Sequence, residues 1–258
     1  MEQVSRSSRL AGQAGLALIV VALWEVLPRA LDMSPLVLPP FSEVIVQFNR
    51  PLTGGGTLGH HTWVTVQQVG GAFGIAAVAG IAVGLPLGMI PRVRALALPL
   101  LTAAFAVPIM VLIPLFLVSF GLGMKSKVAF GALYAFFPVV FNVVAGAGNV
   151  EKIYFDVARA YGLSRSERIR KIILRGAARN TLNGLQMAVA ISIIAVVSIE
   201  MFGALAGLGY LIHRAGQRMR IAEVYALILV TLLVAYLLLS AVRWLGRLFD
   251  VKLEISAG

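Results

Sequence analysis

The sequence predicts an all-α membrane protein of six transmembrane helices, and three observations predict it. The first is composition. Of 258 residues, 59% are hydrophobic and 13% charged, with a mean hydropathy of +0.91. A soluble domain is about 45–50% apolar and about 25% charged. The second is spacing. No Asp, Glu, Lys or Arg occurs between Arg50 and Arg92, Arg94 and Lys125, Lys127 and Glu151, Arg179 and Glu200, or Glu223 and Arg243. Each gap holds a helix of about 20 apolar residues, enough to cross a bilayer core of about 30 Å. A sixth apolar segment, Ala11–Leu31, is interrupted only by Glu25 and Arg29. The bilayer core lacks water, so backbone polar groups must bond internally. A barrel would show alternating strands of about ten residues, whereas these runs are solidly apolar. The third is sidedness. With six spans and both termini on one side, that side carries 15 of the Lys and Arg residues and the other carries 7. The positive-inside rule then places both termini in the cytoplasm. The net charge of +11 therefore reports topology and contact with membrane lipid headgroups, not nucleic acid.

In chain order, residues 1–10 read as a cytoplasmic arm, 11–248 as the transmembrane domain and 249–258 as a cytoplasmic tail. The first span is Ala11–Pro28. It follows Arg6 and Arg9, but no small-x-small cleavage site comes after it, so it reads as an uncleaved helix rather than a signal peptide. Ser34–Ser42 is a Pro-rich external segment, and Glu43–Asn49 a short helix capped by Ser42. Gly54–Gly56 reads as a flexible loop. The second span, Val64–Ile90, carries Gly70-x-x-x-Gly74 and Gly80-x-x-x-Gly84-x-x-x-Gly88, grooves for close packing within one subunit. The third, Ala97–Phe120, contains Pro99, Pro108 and Pro114 and reads as a kinked helix. Gly121–Ser126 lacks the adjacent Gly-Lys pair and preceding strand of a phosphate loop. The fourth span is Val128–Gly148, the fifth Leu182–Phe202 and the sixth Val224–Leu245. There is no cysteine, which excludes thiolate metal sites. His60 and His61 read as external loop residues without carboxylate company, so no metal site is expected.

The polar loop 150–178 carries the functional argument. Ile153, Val157 and Tyr161 fall four apart and form an apolar stripe on a first short helix. Gly162 suits a left-handed C-terminal cap. Ser164 with Glu167 forms a capping box that opens a second short helix, on which Ile169, Ile172 and Ile173 share a face. A headgroup-bound amphipathic pair would have the same charge but no need of a capped corner. The apolar stripes call for a partner surface.

Glu151–Leu174 resembles the E-A-A---G---------I-L-P signature of binding-protein-dependent ABC importer permeases. Asp156, Val157, Ala158, Gly162 and Ile173-Leu174 take the matching positions. Val157 stands for the first alanine and Arg175 for the proline, which leaves the end of the second helix open. The likeness spans nearly the whole chain. Leu38-Pro39-Pro40-x-Ser42-Glu43-Val44, Phe120-Gly-Leu-Gly123, Phe136-Phe-Pro138, Glu200-Met201 and Gly207-Leu-Gly-Tyr-Leu-Ile212 are similar to the subgroup serving nitrate, sulfonates and taurine.

The resemblance implies a type I ABC importer permease fold in the inner membrane. The elbow would be a coupling helix seated in a separate ATPase subunit of a dimeric ATPase. Tyr154, Asp156, Val157, Ala158, Gly162 and Leu163 would make the contact, with Asp156 paired to a basic group of the ATPase and Ala158 allowing close approach. ATP and Mg would bind that partner, and this chain would bind no cofactor and catalyse nothing. A second permease copy would complete the pore as a homodimer, and a solute-binding protein would deliver cargo. Spans three to five would line the path, with Met110, Ser119, Asn142, Asn183, Gln186, Ser192 and Glu200 as its polar or soft candidates. Glu200 reads alternatively as an interfacial acid paired with Arg214 or Arg218. The cargo would be a small anion such as a sulfonate, taurine or nitrate, with an aromatic acid or pyrimidine precursor open.

Other classes fit less well. An ion-coupled secondary transporter needs intramembrane carboxylates or interrupted helices in repeated halves, yet only Glu25, Glu200 and Glu223 lie near the spans. An intramembrane enzyme needs a nucleophile–base pair or paired metal ligands, and the three histidines fall in loops by this reading. A passive scaffold would not require the Gly162 elbow, and exporters lack this signature.

Overall fold

A computed structural model describes residues 6–49 and 56–255. The expected Gly54-Gly55 loop and the ends of both terminal arms lie outside the described residues. Every element among the described residues is helical: α1 (Arg6–Ala30), α2 (Phe41–Val46), α3 (Leu58–Met89), α4 (Pro91–Phe105), α5 (Ile109–Phe120), α6 (Met124–Gly148), α7 (Lys152–Ala160), α8 (Arg165–Arg168), α9 (Leu174–Gly203), α10 (Leu208–Gln217) and α11 (Ile221–Ile255). α1 is already helical at Arg6 and α11 continues to Ile255, so helix runs into both the expected arm and the expected tail. Among the described residues four helices are long and apolar enough to span a membrane, or five if α4 and α5 form one bent span.

The chain forms two compact units, Met1–Leu58 with Leu211–Thr231 and Gly59–Tyr210 with Leu232–Gly258. In the first unit, Glu25 organises the start of α2. Its carboxylate accepts from the Ser42 amide at 2.9 Å and the Ser42 hydroxyl at 3.1 Å and pairs with Arg29 at 2.7 Å. The expected Ser42 cap is therefore corrected. The helix begins at Phe41 with Pro40 as its N-cap residue, so Ser42 lies inside it and Glu25 supplies the acceptor. Trp24 packs against Phe41 and Tyr225 and donates to the Pro39 carbonyl at 3.1 Å.

The second unit is built around α6. Val69, Ala72, Ala76, Gly80, Gly84 and Gly88 are buried in a row of three- and four-residue steps along α3, the spacing of one helical face. Val139 and Val143 of α6 fill the space beside Gly80 and Gly84. On its other side α6 meets α9, where Gly184 sits against Asn142 and the Pro138 carbonyl, and Gly146 against Ala177 and Asn180. Small residues let these backbones approach closely. The expectation of packing within one subunit holds for the Gly80 series but not for Gly70 and Gly74, beside which a methyl group would meet nothing within 4 Å.

The third span is not one kinked helix. α4 and α5 meet at 84° across Ala106–Pro108. Pro108 has no amide to donate and disfavours helical backbone at Val107, so α4 stops and Pro108 becomes the N-cap residue of α5. The Tyr134 hydroxyl donates to the Val107 carbonyl at 3.2 Å, satisfying an acceptor at the break. Pro99 and Pro114 remain inside helices.

Candidate functional site

The elbow forms as a capped corner. At the end of α7 the Leu163 amide donates to Ala158 O at 2.9 Å and the Gly162 amide to Arg159 O at 3.0 Å. These are the paired bonds of a Schellman motif. Gly162 takes φ +64°, and a side-chain carbon there would meet nothing within 4 Å. Ser164 then caps α8 through a complete capping box with Glu167. A hydrogen bond from Lys171, with those from Ser164, holds the Glu167 carboxyl at about 2, well below its usual range. The box therefore stays ionised at neutral pH.

Beyond α8 the structure departs from two short helices. Ile169–Ile173 forms a π-helical turn, so residues 165–203 are one continuous helix. Arg175 explains the continuity. A proline there would crowd the carbonyl four residues back and lack an amide, whereas arginine lets the helix run on. The two stripes also separate. Ile169 and Ile173 pack with Phe155, Ala147 and Ala177 inside the chain, so that face needs no outside partner. Ile153, Val157 and Tyr161 remain 59%, 49% and 82% exposed.

The coupling candidates divide accordingly. Tyr154, Val157 and Gly162 are exposed and Leu163 is half-buried. Ala158 is buried within the chain, which corrects its expected role in close approach to a partner. Asp156 is exposed and pairs with Arg159 on its own helix. Beside α7 lies a cleft of about 430 Å³, lined by Glu151, Tyr154, Lys171 and Arg175 among others.

The pathway candidates do not form one lining. Met110 and Ser119 are exposed on α5. The Asn142 amide donates to the Pro138 carbonyl at 2.8 Å and lies near Met187. Asn183 and Gln186 border a cleft with Arg179, Arg243 and Arg247. Ser192 is fully buried, and its hydroxyl makes no hydrogen bond within the chain.

Glu200 is also sealed, at 1% exposure. Its carboxylate accepts from the Thr65 hydroxyl at 2.8 Å and the Gly209 amide at 2.8 Å. The Leu208 amide donates to Thr65 Oγ1 at 2.8 Å and the Gly207 amide to His61 Nδ1 at 3.1 Å. These amides open α10, where a helix leaves its donors unsatisfied and favours negative charge. Lys127, 1% exposed, donates to the carbonyls of Leu122 and Gly203, at the ends of α5 and α9, and interacts electrostatically with Glu200. One acid thus serves a helix start, and one lysine serves two helix ends. His61 lies within α3, not in a loop, and stacks on Tyr210 with ring centroids 5.9 Å apart. Sequence reasoning missed His61, Thr65 and Lys127 as partners. The available signal was His61, Thr65 and Gln68 at i, i+4 and i+7, a polar stripe on an otherwise apolar helix.

Residues 76–255 match the family model described as "Binding-protein-dependent transport system inner membrane component". The chain is 31% identical to the taurine transport system permease protein TauC of Escherichia coli (strain K12), over 90% of this chain and 86% of that protein. It is 31% identical to the putative aliphatic sulfonates transport permease protein SsuC of Bacillus subtilis (strain 168), over 89% and 83%. It is 28% identical to the nitrate import permease protein NrtB of Synechococcus elongatus, over 89% and 86%.

Proposed function

Because this chain belongs to the family of binding-protein-dependent transport system inner membrane components, we propose that its α7 elbow is the surface through which an ATPase subunit drives it. The chain is a permease, the non-catalytic membrane subunit of an ABC importer. The observation that carries the proposal is the stripe Ile153, Val157 and Tyr161, left exposed on a capped helix while Phe155, Ile169 and Ile173 pack inward. Tyr154, Asp156, Gly162 and Leu163 border it, and the cleft beside Tyr154 offers room for a partner side chain.

The membrane arrangement follows. Six spans are α1, α3, the bent pair α4–α5, α6, α9 and α11, since the 25 residues of α1 reach about 37 Å at 1.5 Å per residue. Both termini and the elbow face the cytoplasm by the positive-inside rule. ATP and Mg bind the ATPase dimer, a solute-binding protein loads the outer side, and a second copy of this chain completes the pore. Nucleotide biases a two-state equilibrium between inward- and outward-open forms. The cargo is a small anion of the sulfonate, taurine or nitrate kind, by similarity to TauC, SsuC and NrtB. Asn142 is the pathway candidate that keeps some exposure on α6.

The test is co-purification with the ATPase encoded alongside this chain, together with ATP hydrolysis in lipid. Tyr161→Asp and Gly162→Trp are expected to weaken capture by about 30-fold, the effect of losing an interface hot spot of roughly 2 kcal/mol. Gly162→Asn tolerates the left-handed backbone and is expected to retain capture. Wild-type capture by all three variants would remove the elbow as the docking site.

A further inference from the structure

The cleft at Asn183 and Gln186 continues into a second groove along α11. Arg179, Arg243 and Arg247 surround the first with those two amides over about 340 Å³. The second, of about 260 Å³, shares Arg243 and Arg247 and adds Tyr236, Ser240 and Trp244. No carboxylate is among the residues lining either cleft. Leu182 and Gly246, from α9 and α11, also line the first cleft.

The order of chemistry along α11 identifies the occupant. Leu232, Leu233 and Leu237 are 56–59% exposed and form an apolar stretch. Tyr236 sits within this stretch, 62% exposed. Beyond it Arg243 and Arg247 flank Trp244, 61% exposed, an aromatic ring placed at a membrane interface, and the Arg243 side chain is braced on Leu239 O at 3.3 Å. Acyl chain and phosphate succeed one another in the same order along a phospholipid. A soluble anion would use only the last part. We infer that this groove binds an anionic phospholipid, with the three guanidinium groups on its phosphodiester and Asn183 and Gln186 on its polar backbone. Basic clefts between transmembrane helices suit such headgroups. The site goes beyond the coupling reading and does not depend on which solute is carried.

The test uses the full chain with Trp24→Phe and Trp63→Phe, which leaves Trp244 as the remaining tryptophan. It is reconstituted in phosphatidylcholine containing a minor fraction of brominated phosphatidylglycerol or brominated phosphatidylcholine. Phosphatidylglycerol is expected to quench Trp244 preferentially, and Arg243→Gln and Arg247→Gln each to reduce that preference about five-fold. Native mass spectra of the wild-type chain and the Arg179→Gln/Arg243→Gln/Arg247→Gln variant give a second reading free of the tryptophan changes. The variant is expected to lose co-purifying phosphatidylglycerol. Equal quenching by both lipids, or unchanged retention by the variant, overturns the site. Displacement of the lipid by millimolar inorganic phosphate assigns it to a soluble anion and overturns the lipid assignment.

Discussion

Glu200→Ala is expected to destabilise the folded chain by about 3–5 kcal/mol, because two buried donors lose one shared acceptor group. The loss has two parts. The Gly209 amide and Thr65 hydroxyl lose their acceptor, and an orphaned buried donor costs about 1–3 kcal/mol. Glu200→Gln keeps an acceptor for both donors and is expected to lose roughly half as much. Unfolding in mixed detergent–SDS micelles, followed by circular dichroism, reads these differences. At about 2–4 °C per kcal/mol for a chain of this size, Glu200→Ala should melt about 10 °C below wild type. An alanine variant within about 2 °C of wild type would contradict this role for the carboxylate.

The cluster was hard to see in the sequence because its partners are distant in the chain. Thr65 and Glu200 are separated by 135 residues, and no local period connects them. Glu200 was visible as a carboxylate at the end of an apolar run, but the nearby arginines offered the simplest counter-charges. The real partners are helix-end amides, which composition does not reveal. Local chemistry was legible where it decides structure locally. Gly162 and the Ser164–Glu167 box formed as their residue types dictate. The continuous helix after Arg165 was partly legible, since Arg175 occupies the position where a proline would have broken it. The break at Ala106–Pro108 was not, because the three prolines of that segment look alike in sequence. Pro99 and Pro114 are carried inside helices while Pro108 starts one, at a break that α6 meets through the Tyr134 hydroxyl on Val107 O.

Packing against α6 separates two glycine patterns that look equivalent in sequence, and Gly84→Leu against Gly74→Leu tests the difference. At Gly84 a new side-chain carbon would lie 2.8 Å from Val143 Cβ and 3.2 Å from the Val140 carbonyl. A backbone carbonyl of a central helix cannot rotate away, so leucine must push α3 from α6 along the whole Gly80–Gly88 seam. Overpacking of a tight core typically costs about 1–3 kcal/mol and sometimes more. With backbone as the obstacle, the expected loss is about 3 kcal/mol, again about 10 °C in melting temperature. At Gly74 the same carbon meets nothing within 4 Å, so the expected change is within about 0.5 kcal/mol. The pair shares helix, residue type and substitution, and only the neighbour differs. Equal losses at the two positions would mean that leucine disturbs α3 itself and that contact with α6 is not what the glycines provide. A loss confined to Gly84 would place the stabilising seam between α3 and α6 and leave the Gly70–Gly74 face outside this packing.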